Sequence, residues 1–120
     1  MKYLIMVYSN PTSREVWDGL PSDQRAQGVR EHTLLSEDLA ASGELIVAEA
    51  LVDPSQAKRI LVRDGQTVSA DGPYPDAKEV LAGFYLLDCE SEERAIEHAS
   101  RIPESALGLV EVRAILDLGI

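Results

Sequence analysis

Hydrophobic and polar positions alternate or recur along this chain with periods that predict a mixed α+β domain. Residues 2–8 place Leu4, Met6 and Tyr8 on one side and Tyr3, Ile5 and Val7 on the other, so both faces are apolar and the segment reads as a central strand. Residues 10–19 hold proline, threonine, serine and glycine and read as a loop, with Trp17 folding back as an anchor. A helix is predicted from about Pro21, with Ser22 and Asp23 available to its free amides, to the stop signal Ser42-Gly43. Residues 44–52 read as a second strand closed by Asp53-Pro54. Residues 59–63 and 66–69 flank Asp64-Gly65, the dipeptide suited to a two-residue hairpin. An apolar strand over residues 80–88 follows. A second helix then opens on Ser91 as N-cap, with Glu92 and Glu93 in its positive first turn, and runs to Ile102 before Pro103. Residues 109–116 make the last strand.

This order, strand, helix, strand, hairpin, strand, helix, strand, is that of a ferredoxin-like split βαβ fold with an extra hairpin. Two helices cover only one face of a sheet, yet residues 2–8 and 80–87 are apolar on both. A second copy packed sheet to sheet would cover the other face, so a homodimer of the α+β barrel kind is expected. A length of 120 residues with 45% hydrophobic content supports a single domain over residues 1–120, with no internal repeats or linkers.

Charge narrows the partners. Eleven lysines and arginines stand against 21 acids, a net charge of −10 that repels nucleic acid and anionic membrane surfaces. Lys58, Arg59 and Arg63 are the only concentrated positives, and they read as a solvated strand face. Cys89 is the only cysteine, which excludes an intrachain disulfide and suits a reducing compartment; a cytoplasmic protein is expected. No apolar run approaches the roughly 18 residues of a membrane span, and residues 1–8 are too short an apolar run for a signal peptide.

At about 100° per residue the first long helix gathers Ala26, Val29, Leu35, Leu39 and Ala40 on its core side, with His32 and Ser36 in the middle of the stripe. His32 there reads either as a core histidine satisfied by a hydroxyl or carbonyl, or as a general acid–base lining a pocket, with Ser36 one turn on. Residues 71–79 supply a candidate carboxylate. Pro73 and Pro75 cannot sit in a central ladder and Gly72 lets the backbone turn, so the side chains are held on a rigid loop. Asp71 would orient His32 or accept its proton, Tyr74 would contact a ligand, and Lys78 would pair with an anionic group. Their ordinary alternatives are turn capping, a packed lid and solvation.

Other chemistry is poorly represented. His98, near the end of its helix, reads as a surface residue favoured by the helix dipole. Two distant histidines make no metal site. Cys89, between Asp88 and Glu90, is disfavoured as a thiolate. No phosphate loop or dinucleotide glycine pattern occurs, and no cofactor is expected.

The run Asp71-Gly72-Pro73-Tyr74-Pro75-Asp76-Ala77-Lys78-Glu79 resembles the signature of the DGPF (DGPFAETKE) branch of the YCII-related family, with tyrosine at the phenylalanine position and Pro-Asp in place of Ala-Glu. Similar stretches are residues 2–6, 42–45, 83–87, 102–103 and 110–113. The resemblance implies a dimeric α+β barrel of ferredoxin-like subunits. It also implies a site built from a histidine of the first helix and an aspartate just before the glycine that ends it, with a few relatives acting on small aromatic compounds. Here that neighbourhood reads Ala40-Ala41-Ser42-Gly43, without the acid, and His32 lies about one position from the aligned histidine. Two functions follow as expectations: cofactor-independent acid–base catalysis on a small organic compound by His32 and Asp71, with Ser36, Tyr74 and Lys78 contacting it, or a non-catalytic accessory dimer linked to sigma-factor regulation.

Overall fold

The computed structural model describes all of residues 1–120. Strand β1 is Lys2–Ser9, helix α1 Pro11–Gly19, helix α2 Ser22–Ser42, and strand β2 Leu45–Ala50. Strands β3, Lys58–Arg63, and β4, Gln66–Asp71, form the hairpin; strand β5 is Val80–Asp88, helix α3 Glu92–Ala99, and strand β6 Val110–Ala114. Short 3-10 turns cover Pro54–Gln56 and Pro103–Leu107.

β2, β5, β1 and β6 lie side by side in that order, every neighbouring pair antiparallel. Because β1 and β2 are separated by β5, and β5 and β6 by β1, each helical crossover skips one strand. That is the expected ferredoxin-like split βαβ topology. The hairpin is a separate two-stranded sheet whose turn residues Asp64 and Gly65 have φ of 51° and 75°, the left-handed pair a tight hairpin turn requires.

One expectation is overturned at residues 10–19, which are helical rather than looped. Asn10 caps the helix by accepting from the Ser13 amide (2.7 Å), and Ser13 Oγ accepts from the Asn10 amide (2.9 Å), while Pro11 takes the first turn where its missing N–H costs nothing. The turn-forming residue types that suggest a loop are the same ones that build this cap. Trp17 does fold back. Its ring lies against Gly28 of α2, where an added Cβ would come within 3.3 Å of it.

Alternation along the central strands sorts the sheet faces. Ile5, Val7, Tyr85 and Leu87 point under the helices and are buried with Leu35 and Leu39 of α2 and with Ala99 and Ile102 at the end of α3. Tyr3, Cys89 and Ala95 form a smaller continuation. The buried stripe of α2 is narrower than its sequence suggests: Leu35 and Leu39 are sealed, whereas Ala26, Val29 and Ala40 are exposed. Leu4, Met6, Phe84 and Leu86 point to the opposite face and stay only half-buried. The molecule measures 48 × 46 × 20 Å, and its short dimension is the thickness of one helix layer on one sheet. Nothing in the chain covers the second face.

Gly83 lies where β5 crowds β2. A Cβ there would meet the Glu49 carbonyl oxygen at 2.9 Å and Ala50 Cα at 3.4 Å, both backbone atoms that cannot rotate away. Gly83→Ala should therefore destabilise the fold by about 1–3 kcal/mol through overpacking. Urea unfolding checks this; an unchanged midpoint would show that β2 is free to shift.

Candidate functional site

His32 lies on the inner side of α2, where the stripe of Leu35 and Leu39 faces the sheet. Its Nδ1 is 2.5 Å from the hydroxyl of Tyr85, and its Nε2 is 2.8 and 3.0 Å from the two carboxylate oxygens of Glu104. The imidazole is stacked nearly parallel to the Tyr85 ring, with centroids 6.0 Å apart. β5 supplies Tyr85 from the buried side of the sheet, and the 3-10 turn after α3 supplies Glu104 from the rim.

These partners determine the tautomer. A carboxylate only accepts, so Nε2 carries the hydrogen donated to Glu104, and Nδ1 is left to accept from the Tyr85 O–H. Tyr85 is suited to donate, because burial, opposed by a polar contact with Ser36 and reinforced by the Glu104 charge, pushes its pKa up to about 12. Ser36 thus reaches the network through Tyr85. The relay runs from a sealed end, Tyr85 at 4% exposure, to an open one, where the His32 and Glu104 side chains keep 31% and 27% of their surface.

The pairing of His32 with Asp71 expected from the sequence does not form in this chain. Asp71 ends β4, is exposed, and pairs with Lys58 across the hairpin. Both ring nitrogens of His32 are already engaged. Tyr74 and Lys78 also lie apart from the relay, on the segment joining the hairpin to β5, with Tyr74 70% exposed and held near Arg59. Of the residues singled out in the sequence, only His32 and Ser36 come together.

His98 differs too. It is buried, not on the surface, and its Nε2 lies 3.1 Å from both oxygens of Glu44, which also accepts from Arg94 Nε (3.2 Å), Arg94 Nη2 (3.1 Å) and Ser42 (2.8 Å). Arg94 foremost, with Ser42 and His98, outweighs the cost of burial and holds the Glu44 carboxyl down at about 2. This cluster ties α3 to the turn that ends α2. Burial raises the Cys89 thiol above its usual range. No three His, Cys, Asp or Glu side chains converge as a metal site would require, and no helix is long and apolar enough to cross a membrane.

Sequence reasoning missed Tyr85 and Glu104. Tyr85 is masked as one aromatic in the apolar run Gly83-Phe84-Tyr85-Leu86-Leu87, and Glu104 sits 72 residues from His32 in a segment without periodicity. The usable signal was Pro103 at the first position of a short turn, which fixes the residue after it near the helix end.

The model of the YCII-related domain matches residues 1–119. The chain belongs to the YCII-related family. An uncharacterised protein of Rhizobium meliloti, R00369, is 28% identical over 117 residues, covering 96% of this chain and 92% of its own. Among solved structures, 5-chloro-2-hydroxyhydroquinone dehydrochlorinase from Burkholderia phenoliruptrix, in complex with 2,5-dihydroxybenzoquinone, is 18% identical with a TM-score of 0.54. That match covers 97% of this chain and 94% of the other. At that identity the likeness establishes a shared fold.

Proposed function

We propose that this YCII-related protein is a cofactor-independent acid–base enzyme acting on a small hydroxylated ring compound, with the His32–Glu104 dyad as its proton-transfer group. The observation that carries the reading is a half-open histidine whose two nitrogens are divided between a carboxylate at the rim and a buried tyrosine. The ring in its one tautomer holds the Glu104 carboxylate through Nε2–H, while the neutral Tyr85 hydroxyl, contacted by Ser36, supports the other nitrogen and fixes the ring. Asp71, paired with Lys58, has no part in the dyad.

The chemistry asked of the dyad is modest. The Glu104 carboxylate, at the open end of the relay, takes a hydroxyl proton from the substrate and returns it to the ring carbon that bears the leaving group; a second hydroxyl proton is then lost as that group departs with its bonding pair. The proton and the leaving group together balance the loss. The structural likeness to a dehydrochlorinase supports this choice of substrate class. We also take the working form to be a homodimer, since a partner sheet would cover Leu4, Met6, Phe84 and Leu86; sedimentation at micromolar concentration should show it, and a persistent monomer would remove that part of the reading.

The test uses 5-chloro-2-hydroxyhydroquinone as the probe. Chloride release above the uncatalysed rate, together with saturable binding of 2,5-dihydroxybenzoquinone, is expected. Neither release nor binding would leave the rival reading, an accessory dimer in which the relay is only a satisfied internal network.

A further inference from the structure

The segment that carries the Asp-Gly-Pro-Tyr run is not at the His32 relay, yet it borders an open concavity of its own. The chain leaving β2, the start of the hairpin and the loop leading into β5 surround a cavity of about 480 Å³, walled by Leu51, Val52, Pro54, Tyr74 and Leu81. Its shape follows from the turn. Gly72, at φ 83°, turns the chain so that its amide donates to the Ala57 carbonyl (2.7 Å), and the Ala77 amide bonds back to the Tyr74 carbonyl (3.1 Å). The proline-bounded loop is thereby held open beside the hairpin root.

Arg59 supplies the polar end. Its Nε donates to the Gly72 carbonyl (3.2 Å), which sets the plane of the guanidinium, and its Cζ lies 5.9 Å from the centre of the Tyr74 ring. Arg59 is half-buried but enters none of the chain's ion pairs. The other charges nearby are mostly committed. Lys58 is paired with Asp71, and Asp53 accepts the Ser55 amide (2.9 Å), a bond that holds its carboxyl below the usual range. Glu79 also lines the concavity. An apolar concavity with one aromatic wall and one oriented cation that pairs with no carboxylate of the chain lacks only an anion at the cation and a flat apolar body against the wall.

We propose that the cavity at the hairpin root is a binding site, separate from the His32 relay, for a small planar carboxylic acid whose ring lies against Tyr74 and Leu81 and whose carboxylate is taken by Arg59. Planarity suits an open surface made by a tyrosine ring and aliphatic side chains, and a carboxylate matches the guanidinium fork.

Benzoate is the probe, titrated calorimetrically with the neutral isostere benzamide as control. Saturable binding with a Kd no weaker than about 10 mM is expected. Arg59→Gln, a change on the exposed hairpin that leaves the core intact, should weaken benzoate by at least about tenfold and leave benzamide unmoved. His32→Gln should alter neither, which separates this site from the relay whatever becomes of the catalytic reading. Equal affinity for benzoate and benzamide, no binding up to that limit, or binding lost with His32→Gln and kept with Arg59→Gln would each overturn the proposal.

Discussion

Glu104→Gln should lower turnover of the chlorinated hydroquinone by about 10²–10⁴-fold with the folded structure retained. Glutamine keeps the shape of glutamate and can still accept from His32 Nε2, but its amide cannot take up a proton. His32→Gln should slow the reaction less, because its amide N–H can still donate to Glu104 while the stacked ring that fixes the carboxylate is lost. Ser36→Ala, which reaches the histidine only through Tyr85, should have a smaller effect. Rates measured beside thermal midpoints decide the matter: a loss of rate that merely tracks a loss of stability would make the relay structural.

Glu44→Gln should cost about 2–4 kcal/mol of stability at pH 7, an effect as large as a core truncation. The substitution removes the charge that Arg94 and His98 share, and His98 is buried at 6% exposure. The effect has a definite pH dependence. The folded Glu44 carboxyl sits at about 2 and the unfolded one near its ordinary 4.5, so the folded state favours the ionised form. A depressed folded pKa gives stability that is full above about 4.5 and drains away as pH falls through about 2. Urea unfolding of wild type and variant at pH 7, 4 and 2.5 should show the gap between them closing as the solution is acidified. A gap of constant size would place the contribution in packing rather than charge.

Both clusters contain a histidine, and the sequence places only one of the two correctly. His32 was legible because helical periodicity places it, with Ser36, inside the stripe of Leu35 and Leu39. His98 was misread because position near a helix end says nothing about which side of the helix is covered. Its neighbours Ala95 and Ala99 are small enough for α3 to sit close on the sheet, and that brings residue 98 against the end of α2.

The Asp71 to Glu79 segment shows the same division. Its prolines and glycine dictate a rigid turn, and the turn is there. Its role as partner to His32 was an argument from proximity in composition, and proximity in composition carries no distance. The structure instead folds the segment against Arg59 and Ala57 at the root of the hairpin.

By itself, the sequence determined the secondary elements with strong periodicity, the split βαβ order, the Asp64-Gly65 hairpin turn, the αL stop at Gly43, and an apolar second face on the central sheet. These follow from interactions within a few residues, or from alternation along one strand, and such signals survive without knowledge of the rest of the chain. Only the tertiary structure decided that Glu104 completes His32, that Tyr85 rather than Phe84 points under α2, and that Glu44 gathers Arg94 and His98. Each of those contacts spans 50 residues or more, and it is the antiparallel register of β5 between β1 and β2, together with the seating of α2 and α3 on one face, that brings the partners within hydrogen-bond reach.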